Sequence, residues 1–117
     1  MIKDTIKSGD WKGEKHVPVI EVVEKRDDTF KIEVSVGKEI KHPNTVEHHI
    51  SWVELYFTPE GEQFPKMVGR AAFCGHGDMI TEPVAVFTFS PGKSGRLHAL
   101  SFCNIHGLWE NEYELKL

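Results

Sequence analysis

The stretch from Phe30 to Val36 constrains the fold most. Phe30, Ile32, Val34 and Val36 alternate with Lys31, Glu33 and Ser35. A period of two puts the apolar set on one face of a pleated strand and the polar set on the other. Such a strand needs a second apolar layer to cover it, and the rest of the chain supplies one. Val17 to Val23 is rich in β-branched residues, with Pro18 confining it to an edge or to a strand's opening residues. Lys25-Arg26-Asp27-Asp28 is a polar turn, and Gly37 closes the alternating run. A longer strand starts near His48, with Val53, Leu55 and Phe57 on one face and Ile50, Trp52 and Tyr56 on the other, and stops at Thr58-Pro59-Glu60-Gly61. Further strands are expected at about 64–73, 83–89, 96–102 and 112–116. Between them lie Cys74-Gly75-His76-Gly77-Asp78, Ser90-Pro91-Gly92-Lys93-Ser94-Gly95 and the segment after Cys103. Short strands at regular spacing, turn signals between them and no amphipathic helix predict an all-β fold: a seven-stranded antiparallel immunoglobulin-like β-sandwich. The 117 residues hold no linker, repeat or low-complexity tract and fit a single domain, 1–117.

Composition excludes several functions. A net charge of −4 leaves no basic footprint for nucleic acid or an anionic membrane surface. No apolar run approaches the ~20 residues of a membrane-spanning helix, and MIKDTIKSGD lacks the apolar core of a signal peptide, so a cytoplasmic location is expected. The two cysteines, Cys74 and Cys103, are expected to stay unpaired. In an immunoglobulin disulfide the tryptophan lies between the cysteines, whereas Trp52 precedes both, and cytoplasmic thiols stay reduced.

Cys103-Asn104-Ile105-His106 is the candidate for chemistry. A thiolate and an imidazole at this spacing can hold one metal ion if the chain turns sharply between them. Asn104 accepts turn conformations and Gly107 frees the exit. Upstream lie His16, His42, His48 and His49. His16 opens the first strand; His42, stiffened by Pro43, and His48 bracket the loop into the third. All fall at strand ends or connections, where binding residues sit on a rigid scaffold. His48 and His49 point to opposite faces if extended, so His49 is assigned to packing or hydrogen bonding. Structural zinc is normally four-coordinate, and four imidazoles plus a thiolate is one ligand too many. Five ligands with one open position suit a redox iron that binds a small molecule directly. A blue-copper carrier fits less well: it needs two histidines and usually a methionine soon after the last, but Met79 lies upstream of His106. A non-catalytic sandwich with structural or zinc-binding histidines is the other alternative. His76 reads as a turn residue, His98 as a half-buried strand residue, Cys74 as a small thiol, and Trp11, Trp52 and Trp109 as anchors.

Glu14-Lys15-His16-Val17-Pro18, Lys38-Glu39-Ile40 with His42-Pro43-Asn44-Thr45, Glu47-His48-His49-Ile50, and Cys103-Asn104-Ile105-His106-Gly107-Leu108-Trp109 resemble the superoxide reductase family, in its one-domain neelaredoxin type. The likeness spans the whole chain. It implies one mononuclear iron (Fe2+/Fe3+) with His16, His42, His48 and His106 as equatorial ligands and Cys103 as the axial thiolate. Glu14 matches the carboxylate that fills the sixth position in the oxidised state, and Lys15 the cation beside the open face. The implied activity is one-electron reduction of superoxide to hydrogen peroxide, with re-reduction by rubredoxin or a similar small electron donor. A homotetramer is also implied. The N-terminal four-cysteine iron site of two-domain relatives is not expected, since no cysteine precedes Cys74. Two departures stand out. Lys41 replaces the family's usual proline, and the segment between Gly77 and Thr81 is shorter than in most relatives.

Overall fold

The computed structural model describes residues 1–9, 16–75 and 77–117. Glu14, Lys15, Trp11 and His76 therefore lie outside the described residues. After a short 3-10 turn, Ile2–Asp4, come seven strands: β1 (Val19–Arg26), β2 (Thr29–Ser35), β3 (Ile50–Pro59), β4 (Lys66–Ala72), β5 (Val84–Phe89), β6 (Gly95–Cys103) and β7 (Gly107–Leu115). They form two antiparallel sheets, ordered β1-β2-β5 and β4-β3-β6-β7. The predicted immunoglobulin-like sandwich is the observed fold.

The alternating run of β2 does what its period requires. Phe30, Ile32 and Val34 are buried, and Ile20 and Val36 join them from the strand alongside and the chain beyond. Facing them are Ile50, Val53, Leu55 and Phe57 of β3, Leu97 and Ala99 of β6, and Leu115 of β7. Each such large side chain contributes about 1.5–3 kcal/mol by leaving water. As expected of a strand opened by proline, β1 is an edge and starts just after Pro18.

Two expectations need correction. Strand alternation puts Ile50 on the face opposite Val53, yet it is fully buried beside it. The cause is a register shift: Ile50 pairs with Cys103 and Trp52 with Phe102, so Ser51 is an extra residue that turns Ile50 inward. Trp52 stays outside, stacked on Phe102 with Arg70 over its ring. The last strand also begins well before 112. Gly107, at φ 79°, opens β7 directly after a three-residue turn, and its pairing with Cys103 continues without a break to Leu115 with Gly95. The polar run Glu110-Asn111-Glu112 hid this strand, because that stretch lies where one face is solvated.

Candidate metal centre

Three separate segments meet at one end of the sandwich. His16 stands just before β1 and is fully buried. Its main chain is tied to the opposite sheet, because the buried Ser101 hydroxyl donates to the His16 carbonyl at 2.9 Å. Two residues on, Asn111 Nδ2 donates to the Pro18 carbonyl at 3.0 Å. The His16 ring stacks on the buried indole of Trp109, with centroids 4.6 Å apart and planes 13° apart.

His42 belongs to the connection between β2 and β3, where Gly37 makes a tight return. Gly37 has φ 78°, and a Cβ there would lie 2.5 Å from the His42 amide nitrogen. Only glycine suits both conditions. His42 Nδ1 is 2.6 Å from the Pro43 carbonyl. That oxygen only accepts, so Nδ1 carries the proton and Nε2 is the basic nitrogen.

His48 closes a turn in the same connection. Thr45 N donates to the His48 carbonyl at 2.8 Å, and His48 N donates to Thr45 Oγ1 at 3.1 Å. His49 turns its Nδ1 back onto the Thr45 carbonyl, 2.9 Å away, and stays outside the cluster.

Cys103 ends β6, fully buried, and His106 precedes β7. The turn between them aims the His106 amide at the Cys103 sulfur, 3.4 Å away. Trp109 Nε1 donates to the His106 carbonyl at 3.2 Å.

The imidazoles form a closed square. Ring centroids are separated by 4.7 Å for His16–His42, 4.7 Å for His42–His48, 5.2 Å for His48–His106 and 4.9 Å for His106–His16. Neighbouring rings meet edge to face, while His16 and His48 face each other across the square at 6.5 Å. Ligand atoms of His16, His48, His106 and Cys103 all lie within 4.8 Å of one another. A set of imidazoles with one thiolate suits a transition metal rather than magnesium or calcium, which take oxygen. The square also exceeds the two histidines of a blue-copper site.

Of the five ligand candidates, His16, His48, Cys103 and His106 bring their ligand atoms together, and the His42 ring stands against those of His16 and His48 without joining that group of four. Cys74 is an exposed free thiol, Cys103 is likewise in no disulfide, and His98 of β6 hydrogen-bonds Thr58 on the neighbouring strand β3. The sequence alone does not mark Ser101 and Asn111 as supporting residues. The one signal for Ser101 was a hydroxyl in the inward series Leu97, Ala99, Ser101, Cys103. No helix among the described residues is long and apolar enough to cross a membrane.

An immunoglobulin-like sandwich that gathers four imidazoles and a cysteine at one end is a metal-binding β-protein. More narrowly, the chain belongs to the desulfoferrodoxin family, whose model matches residues 8–112. The superoxide reductase of Pyrococcus abyssi is 70% identical over 116 residues, covering 99% of this chain and 100% of that protein. A crystal structure of superoxide reductase in the oxidised state matches with a TM-score of 0.94 at 57% identity, covering 99% of this chain and 100% of that one. The reduced form of the superoxide reductase (neelaredoxin) from Archaeoglobus fulgidus gives 0.88 at 55% identity, covering 96% and 98%.

Proposed function

We propose that this chain is a superoxide reductase that converts superoxide to hydrogen peroxide at one mononuclear iron held by His16, His42, His48, His106 and Cys103. The observation that carries the reading is the square of four imidazoles with a buried sulfur beside it. Iron held by these residues would supply the electron to a small anion. Superoxide takes that electron and two protons to leave as hydrogen peroxide.

The protein's own groups do the rest. Trp109 and Ser101 hold His16, the Pro43 carbonyl fixes the tautomer of His42, and the Thr45 turn presents His48. The anionic sulfur of Cys103 pushes electron density into the site, as thiolates do in haem proteins. Against a divalent ion it leaves a local formal charge of +1. A local positive patch raises the encounter rate with an anion by about 10- to 10³-fold, even though the chain carries −4 overall.

Lys15, adjacent to His16 in sequence, is assigned to this patch and to organising proton delivery through water. Glu14, two residues before His16 in sequence, would add a carboxylate ligand to the oxidised metal. A rubredoxin-like protein is the proposed electron donor, the cytoplasm the proposed location and a homotetramer the proposed assembly.

Metal analysis of the purified protein together with a Cys103→Ser variant tests the site. The expected result is iron in the parent and loss of the thiolate-to-iron colour in the variant. Copper or zinc in the parent, or a variant that keeps its colour, would refute the assignment.

A further inference from the structure

The ligands come from segments far apart in sequence, so something must set their spacing. Cys103 and His106 sit on a short hairpin turn between paired strands, which fixes them to each other. His48 sits in a connection with no strand of its own, entered from Ser35 and left at Ile50. Its position relative to the sulfur depends on contacts between the two segments.

Asn104 makes three of them. Its amide nitrogen donates to the His49 carbonyl at 3.1 Å, one step beyond the last ladder pair, Ile50 with Cys103. The return bond from His49 N goes to the side-chain oxygen of Asn104 at 2.8 Å. The side-chain nitrogen of Asn104 then donates to the Glu47 carbonyl at 2.9 Å. One planar amide thus grips the residues on both sides of His48.

We infer that Asn104 is a positioning residue: its carboxamide sets the distance between the His48 imidazole and the Cys103 sulfur. This rests on the reading that iron is bound by these two side chains. The task needs an acceptor and a donor on one short fork. Aspartate keeps only the acceptor, alanine keeps neither, and glutamine carries the fork a carbon too far. Asn104 is exposed, so water can hydrate the groups it releases and the fold survives its loss. The cost therefore falls on the metal site rather than on folding.

The test compares the iron-loaded parent with Asn104→Ala and Asn104→Asp. Alanine should weaken iron retention against a ferrous chelator about tenfold, as loss of a ligand-orienting group does, and should shift the thiolate-to-iron absorption band. Aspartate, which keeps the His49 bond, should retain iron to an intermediate degree. Hydrogen exchange of the metal-free proteins reads the clamp independently. The His49 amide should exchange roughly fivefold faster in Asn104→Ala, the factor expected of one lost hydrogen bond. Lower melting temperature with unchanged band, iron retention and exchange would reduce Asn104 to a structural residue and overturn the inference. A parent that binds no iron would instead fail the functional reading, while the exchange measurement would still decide for or against the clamp.

Discussion

Trp109 touches two of the clustered histidines in different ways. Its ring lies flat against His16 at 4.6 Å, and its Nε1 donates to the main-chain carbonyl of His106 at 3.2 Å. One buried indole from β7 thereby joins the segment that enters β1 to the turn that leaves β6.

Trp109→Phe should keep the apolar surface against His16 but lose the bond to His106. Trp109→Ala should lose both and cost about 3–5 kcal/mol, as large-to-small changes in a core do. Urea unfolding of the metal-free variants checks the ordering, with alanine the less stable of the two.

Gly37→Ala forces a side chain into a left-handed backbone position beside the His42 amide. The conformation alone costs about 1–2 kcal/mol. The expected result is a lower unfolding midpoint together with reduced iron stoichiometry, because relief of the clash moves His42. Urea titration and iron analysis of the same preparation measure both.

Ser101→Ala removes a buried donor from the His16 carbonyl. The expected loss is about 1–3 kcal/mol, the cost of breaking a hydrogen bond at a buried polar group. Denaturant unfolding of the metal-free protein measures it apart from any effect on iron.

Lys41 and Glu82 form an ion pair at 3.3 Å, but both side chains are largely exposed. Lys41→Ala should change stability by less than about 1 kcal/mol, the usual range for such surface pairs. An unfolding midpoint equal to the parent's within error is the expected outcome, although His42 is the next residue.

Much of this protein is legible in its sequence because strand period and turn chemistry act locally. Phe30 to Val36 declares a half-buried strand, and its burial pattern follows the alternation as far as Val34, after which Ser35 is buried as well. The cluster of His16, His42, His48, Cys103 and His106 was legible for another reason: metal ligands must be these residue types, and here they fall at strand ends. What escaped depends on partners distant in sequence. The inward turn of Ile50 comes from Ser51 having no partner in β6, which only the β3–β6 register reveals. Asn104 read as a turn residue, since nothing local shows that its amide reaches Glu47 and His49. Ser101 and Asn111 likewise acquire their roles only when the sheets face each other.

The most direct test mixes the reduced, iron-loaded protein with superoxide in a stopped-flow instrument while dioxygen is recorded. Superoxide should disappear in proportion to the iron present, with hydrogen peroxide formed and no dioxygen released. Release of dioxygen would mean dismutation, and persistence of superoxide would mean no reaction; either result contradicts the account.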